Sequence, residues 1–330
     1  MKLLYLFDSS IGDVRSYVSR LHFDFWMKMI QFHQVNIYGP KEQTLNDKIL
    51  SPVEYNSKYT LDDLYSIFRP DIIIAFTYNL THNWMPAKNK LSSIPFVIFE
   101  GDYYAVLYDT DLNWYSNMGF DLMINRSYMK KNDPLTMPKV WLPLSVNENE
   151  FNEGEKLHQR VNNVVFLGNI GKAEKLYSLR KNAIDKLSQH NLIVNREIIP
   201  AKEYPIELRK YTIGLSDAGG DLHCTLGKMF EIMASGTVLL TPWFYGQKEL
   251  FGEEEFFFEY KNDLSDIIKV VKYIRENLDE AQVIVDNAVQ VINRYHLDRH
   301  RILEFKNILE AFLSGEEIPR KWEDDQLCKL

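Results

Sequence analysis

The feature that most constrains this chain is a series of short apolar runs without polar alternation. Leu3-Leu4-Tyr5-Leu6-Phe7, Ile72-Ile73-Ile74-Ala75-Phe76 and Ile94-Pro95-Phe96-Val97-Ile98-Phe99 are the clearest. A strand with one face in water alternates apolar and polar side chains, whereas a strand without alternation is covered on both faces, as in a parallel sheet flanked by helices. Further strands are predicted over 35–38, 71–76, 120–124 and 140–142. Between them lie segments of helical spacing: one with Tyr17, Leu21, Phe25 and Met29 on a single face, and a shorter one over 61–68.

The alternation lapses over 144–163, where Ser145-Val146-Asn147-Glu148-Asn149-Glu150-Phe151-Asn152-Glu153-Gly154 is polar and acidic and reads as a linker. It restarts with a strand over 163–168, a helix over 173–187, strands near 192–198 and 212–215, and a helix over 226–235. A strand over 236–241 closed by Pro242, a short one over 256–258, and helices over 264–277, 280–295 and 299–313 follow. At roughly 150 residues per domain, 330 residues make two α/β domains. The expected division is 1–146, 147–298 and a helix with a tail over 299–330.

Composition narrows the function. Apolar residues at 45% and charged residues at 25% are those of an ordinary globular protein and exclude disorder as the main state. Lys and Arg total 38 against 46 Asp and Glu, with no basic block longer than Lys130-Lys131, which disfavours general binding to a phosphate backbone. No apolar run approaches the roughly 20 residues of a membrane helix, and Asp8 interrupts the first run too early for a signal peptide. Cys224 and Cys328 lack metal-ligand spacing, so the expectation is a cytoplasmic protein with neither a disulfide framework nor a metal.

Ligands of open α/β sheets bind at the carboxyl ends of strands, where helix N-termini offer N–H groups to anions. Gly168-Asn169-Ile170-Gly171-Lys172 follows a strand and opens a helix, so Gly168 and Asn169 can approach a phosphate while Lys172 and Arg180 add charge; a plain turn explains the run equally well. The loop from Ser216 to the helix start near Thr225 is a second place, where Thr225, Leu226 and Gly227 present N–H groups. Lys228 and Glu231 share a face of that helix, either as diphosphate and ribose ligands or as an exposed i, i+3 pair. The third place is Phe99-Glu100-Gly101-Asp102-Tyr103-Tyr104, where Asp102 or Glu100 is a candidate base for an acceptor hydroxyl and an acidic turn is the alternative. Asp8, Ser10, Gly12 and Asp13 form another strand-to-helix loop, with Gly12 giving phosphates room and Asp13 capping the helix that carries His22, a weaker base candidate or a packed surface histidine. Tyr103, Tyr104, Tyr108, Trp114, Tyr115 and Phe120 suit either stacking on an acceptor or core packing.

The run Lys228-Met229-Phe230-Glu231-Ile232-Met233-Ala234-Ser235-Gly236-Thr237-Val238-Leu239-Leu240-Thr241 resembles the nucleotide-sugar signature of GT-B glycosyltransferases, in the group-1-like family that includes spore-maturation (CgeB-type) proteins. Val164-Val165-Phe166-Leu167-Gly168-Asn169 is similar to the first strand and loop of that family's donor domain, and Leu142-Pro143-Leu144-Ser145-Val146-Asn147 to its interdomain linker. Leu250-Phe251-Gly252, Asn262-Asp263-Leu264, Asn287-Ala288 and His296 with Arg299 resemble its C-terminal stretch, so the likeness spans roughly residues 140–312.

The resemblance implies two Rossmann-like domains with parallel sheets facing a central cleft, the C-terminal tail returning to the N-terminal domain. It implies transfer of a sugar, a hexose first, from a nucleotide-sugar co-substrate, a UDP-sugar first, to a hydroxyl acceptor, with no metal required. Glu231 would bind the donor ribose, and Gly168, Asn169 and Thr225 to Lys228 would contact the diphosphate; outside the likeness, Glu100, Tyr103 and Tyr104 are the candidates to meet the acceptor. Asp263 reads as a helix N-cap. Many retaining relatives carry Glu where this chain has His223, which leaves the stereochemical course open and makes His223 either a ligand of sugar or phosphate or a loop residue. The alternatives are a transferase acting on modified bases of DNA, using a basic stripe of Lys88, Lys90, Arg126, Lys130 and Lys131, a sugar-nucleotide-binding scaffold without turnover, and, less favoured, a phosphorylase or epimerase.

Overall fold

The computed structural model describes residues 1–7, 28–29, 33–40, 44–45, 48–49, 53–77, 84–89, 91–100, 112–126, 128, 135–168, 170, 177–196, 199–200, 202–252 and 254–318. These divide into two compact units, one of residues up to Pro143 together with those from Ile302 onward, the other Leu144–Arg301.

In the first unit the unalternated runs become β1 (Lys2–Leu6), β2 (Gln34–Tyr38), β5 (Ile72–Thr77), β6 (Phe96–Glu100), β7 (Leu122–Asn125) and β8 (Lys139–Trp141). They form one parallel sheet in the order β2-β1-β5-β6-β7-β8. A two-residue hairpin of β3 (Thr44–Leu45) and β4 (Lys48–Ile49) stands apart from it. Successive residues serve opposite faces of the sheet. On one side Leu3, Tyr5, Ile72, Ile74, Val97, Phe99 and Ile124 pack with Ile302, Phe305, Ile308 and Leu309. On the other, Leu4, Leu6, Ile73, Ala75, Ile98 and Met123 pack with residues of helices α1 (Leu61–Phe68) and α2 (Leu112–Met118). Thr60 and Asp63 cap α1 reciprocally, and Arg69 ends it in the left-handed region. Strand β6 begins at Phe96 because Pro95, having no N–H, contributes only its carbonyl, which accepts from Ile73 N at 2.9 Å.

The second unit holds β9 (Val161–Leu167), β10 (Ile193–Arg196), β11 (Tyr211–Leu215), β12 (Val238–Thr241) and β13 (Phe258–Glu259), a parallel sheet in the order β10-β9-β11-β12-β13. Helices α3 (Ser178–Gln189), α4 (Tyr204–Leu208), α5 (Gly227–Ala234), α6 (Gln247–Phe251), α7 (Ile267–Glu276) and α8 (Leu278–Tyr295) connect or follow its strands, and α9 (Asp298–Ser314) starts in this unit. The short helices α2, α4 and α6 escaped the sequence reading because one or two turns carry too few residues to show a 3.6 period.

Several expectations are corrected. The segment read as a polar linker is packed: Val146, Phe151 and Leu157 are buried among its charges, and Val146 exchanges backbone hydrogen bonds with His296 and Asp298. Helix α7 begins at Ile267, not 264, since Leu264 has φ 58° and cannot join a right-handed helix. Asp263 therefore caps no helix; its Oδ1 accepts from Ser265 N at 2.9 Å. The helix of Tyr17, Leu21 and Phe25 lies outside the described residues.

At the start of β2, His33 is buried, and neither ring nitrogen finds a partner among the described residues. Burial, with the amino terminus and Lys306, holds its pKa below the ordinary value, outweighing Glu310. The unfolded chain then binds the extra proton first, so stability is full above the ordinary histidine pKa and declines as pH falls through it toward the lowered folded value. Urea melts across this range should show that decline, and His33→Phe should flatten it.

Candidate functional site

The carboxyl ends of β9 and β11 and the amino end of α5 gather a group of charged side chains inside the second unit. Lys228, in the first turn of α5, is partly buried, with Nζ donating to the Leu167 carbonyl at 2.6 Å and lying 3.8 Å from the centroid of the Phe166 ring. Gly168 makes room for it: at φ 129° a side chain is strained there, and a Cβ would stand 3.1 Å from Lys228 Nζ. Burial, followed by the nearby Arg180, brings the Lys228 pKa down to about 7, against the opposing pull of Asp217 and Glu231.

Arg180 reaches the same place from α3. Its Nε and an Nη donate to the two oxygens of buried Asp217, each at 3.1 Å, and its guanidinium lies 4.2 Å from the Tyr177 ring centroid. Asp217 follows β11 directly, beside Ser216, whose carbonyl accepts from the Tyr260 hydroxyl at 2.8 Å. The sequence signal for Asp217 was its place after a buried strand; its pairing with Arg180 was invisible, because 37 residues separate the two.

Glu231 is 2% exposed, so the reading of Lys228 and Glu231 as an exposed surface pair is set aside. Burial and the charge of its carboxylate push the pKa of the Tyr204 hydroxyl of α4 up, and the carboxylate turns back along its own helix, Oε1 being 3.7 Å from where a Gly227 Cβ would lie. The helix starts at Gly227 rather than near Thr225. Leu226 is the extended N-cap with no side-chain capping bond, and buried Thr225 points its hydroxyl at the Tyr245 carbonyl, 3.4 Å away. Thr225 is thus a support of the loop. Helix α5 is seated tightly: Ile232 leaves no room for a side chain at Gly214, and Arg160 holds the far end by donating to Ser235 O at 3.2 Å and Thr237 Oγ1 at 2.9 Å.

His223 stands in the left-handed region at φ 49°. Its Nδ1 lies 3.2 Å from the Trp243 carbonyl, its Nε2 3.4 Å from Asn262 Nδ2, and its ring packs beside those of Trp243 and Tyr245. It is a fixed group, not a loose one.

In the first unit, Glu100 ends β6, is buried, and accepts from the Tyr115 hydroxyl at 2.7 Å. Tyr115 and Phe120 belong to the core, with Trp114 packed against both. Asp102, Tyr103, Tyr104, Tyr108, Asp8, Ser10, Gly12, Asp13, His22, Asn169 and Lys172 lie outside the described residues.

Comparison with known proteins follows the same lines. Residues 164–307 match the family model described as "Glycosyl transferase-like". Sucrose-phosphate synthase from Thermosynechococcus elongatus is similar at TM-score 0.65 and 10% identity, over 96% of this chain and all of that one. HepE from Anabaena, in complex with UDP and glucose, has TM-score 0.60 and 12% identity over 94% of this chain and all of that one. An α-glucosyltransferase in complex with UDP-glucose and DNA containing an abasic site has TM-score 0.57 and 12% identity over 94% and 98% of the two chains. No curated sequence matches. The fold is that of GT-B glycosyltransferases, with two Rossmann-like parallel-sheet domains, and the segment from 164 to 307 is glycosyltransferase-like. Among the described residues no helix is long and apolar enough to cross a membrane.

Removing one partner of a buried ion pair strands the other. Asp217→Asn should lower the unfolding free energy by about 3 kcal/mol in denaturant melts, and replacing an exposed acid such as Glu316 should leave it within about 0.5 kcal/mol.

Proposed function

We propose that this protein is a glycosyltransferase that binds a nucleotide-sugar, a UDP-sugar first, in its second unit and transfers the sugar to a hydroxyl acceptor. The observation that carries this reading is the buried Glu231 carboxylate three residues after Lys228 on α5, with Lys228 at the amino end of that helix and beside Gly168. A carboxylate accepts hydrogen bonds from the two vicinal ribose hydroxyls, while helix N–H groups and an ammonium take the diphosphate. The sequence signature of 228–241 further links the chain to the group that includes the spore-maturation-type proteins.

In the transfer, the acceptor oxygen bonds to the anomeric carbon as the bond from that carbon to the diphosphate oxygen breaks. The negative charge that collects on the leaving diphosphate is met by Lys228, with Arg180 held nearby by Asp217, and by the N–H groups of the first turn of α5. Gly168 and Asn169 border the phosphates, with Lys172 adding charge from the same loop. The acceptor is met by the first unit, where Asp102 takes the hydroxyl proton in an inverting transfer. Glu100, Tyr103 and Tyr104 contact the acceptor. His223, fixed by Trp243 and Asn262, hydrogen-bonds the transferred sugar.

A second reading, transfer to modified bases of DNA, draws on the likeness to the DNA-bound α-glucosyltransferase. It requires a basic stripe. Of that stripe, Lys88 is paired with Asp121 at 2.6 Å, and Arg126 is buried with its guanidinium 5.9 Å from the Phe99 centroid. Both cations are engaged inside the first unit, and Lys90, Lys130 and Lys131 lie outside the described residues.

Thermal unfolding with UDP, GDP, CDP, dTDP and their sugars tests the donor site. A ligand at 100 times its Kd adds about 2.7 kcal/mol, a shift of several degrees. The shift is expected with one nucleotide and should vanish in Glu231→Ala; an unchanged shift in the variant refutes the ribose assignment.

A diphosphate raises the Lys228 pKa from about 7, so binding takes up a proton in the interval above that value. Nucleoside diphosphate affinity should therefore fall as pH rises from 7 toward about 9, with proton uptake visible as a buffer-dependent binding enthalpy. Lys228→Met should bind more weakly and lose that uptake.

A further inference from the structure

The cluster at the carboxyl edge of the second sheet contains a carboxylate that anion binding alone does not call for. Asp217 lies just beyond β11, is 2% exposed, and has a pinned backbone. Ser216 N donates to the Leu240 carbonyl at 2.8 Å, and the Asp217 carbonyl accepts from Gly220 N at 2.8 Å. Its two carboxylate oxygens accept from Nε and an Nη of Arg180, each at 3.1 Å. Arg180 and Lys228 meet at one ring, the guanidinium carbon 5.4 Å and Nζ 3.8 Å from the Phe166 centroid. Burial comes first in lowering the Lys228 pKa, but Arg180 adds to the fall and Asp217 opposes it, so the three charges act on one another. A pocket shaped only to hold phosphate tightly would leave both cations unopposed, and burying the acid costs desolvation energy besides.

We infer that Asp217 sets the net charge of the donor site: by cancelling one of two cations it restrains the site's preference for the nucleoside diphosphate product over the nucleotide-sugar. This rests on the reading of the second unit as a nucleotide-sugar site. In a nucleotide-sugar neither phosphate is terminal, and each carries a single negative charge. Transfer leaves a terminal phosphate whose second ionisation, near pH 6, makes the product more anionic than the donor by about one charge in neutral solution. Two unopposed cations would reward that extra charge and retain the product, whereas one net cation rewards it less. The carboxylate thereby eases departure of the product, a step that limits turnover in many enzymes.

The test is a ratio of two dissociation constants, measured by calorimetry on the full chain at about pH 7.5, where the terminal phosphate is ionised. UDP, GDP, CDP and dTDP are each compared with their β-methyl ester, which carries the donor's charge whatever the sugar. The free protein is common to both ligands, so a change in its stability or in its own protonation cancels in the ratio. Wild type is compared with Asp217→Asn, and Arg180→Gln with the double variant carrying both substitutions, so that the carboxylate is removed in two backgrounds. In each background its removal should move the ratio toward the diphosphate by about tenfold, the scale of one further unit charge acting on one further phosphate charge across a partly screened site. Arg180→Gln alone should move the ratio toward the ester.

A purely structural role weakens both ligands equally and leaves the ratio where it was. Movement of less than about threefold on removing the carboxylate, or movement toward the ester, in either folded background overturns the inference. The second of these results makes Asp217 only a holder of Arg180, whose displacement costs the more anionic ligand more. Where Asp217→Asn does not fold, the comparison of Arg180→Gln with the double variant, which strands no charge, decides by itself. A wild type that binds none of the diphosphates or esters refutes the nucleotide-sugar reading and the inference with it. A wild type that binds them, with a ratio that removal of Asp217 does not move, refutes the inference alone.

Discussion

Parallel strands covered on both faces leave little room for polar chemistry along their length, and that constraint organises everything else in this chain. Ile72 to Phe76 and the strands beside them bury alternate side chains in two separate apolar layers, so buried polar side chains such as Glu100 and Asn125 fall at the strand ends. What remains available are the strand ends, where backbone leaves the ladder and helices begin. In the second unit this concentrates Leu167, Gly168, Ser216, Asp217 and the first turn of α5 at the carboxyl ends of adjacent strands. The site is a consequence of how a doubly covered sheet must terminate.

Charge at such an edge is costly unless each group is answered. Arg180 is answered by both oxygens of Asp217 and by the Tyr177 ring, and Lys228 by the Leu167 carbonyl and the Phe166 ring. The two cations also press on each other, which is part of why the Lys228 pKa lies near 7. An arriving diphosphate relieves that pressure, so the arrangement is under electrostatic tension that an anion releases. Glu231 plays the opposite part, a buried acid whose charge, with burial, pushes the Tyr204 pKa up.

Much of this was legible in the residues. The unalternated runs located the strands of both sheets to within a few residues, and the loop-to-helix transitions after them marked Gly168, Lys228 and Glu231 as the places to look. Errors came where local pattern competes with tertiary context. The 144–163 segment reads as a linker because its charges outnumber its apolar residues, yet Val146, Phe151 and Leu157 each find a buried site. Asp263 looks like a helix cap, but Leu264 takes a left-handed turn that postpones the helix to Ile267. Thr225 looks like the helix start, yet its side chain supports the loop from behind.

By itself, the sequence determined the class of fold and the positions of its chemistry, because periodicity and the placement of glycine and charge after buried strands are local properties that no partner is needed to express. Only the tertiary structure decided which partners those groups would have. Asp217 for Arg180, and Trp243 with Asn262 for His223, are separated by tens of residues and are joined by packing alone. The same packing buried Glu231 and lowered the Lys228 pKa. Residue type sets what a side chain can do, and the dielectric and neighbours that folding supplies set what it does.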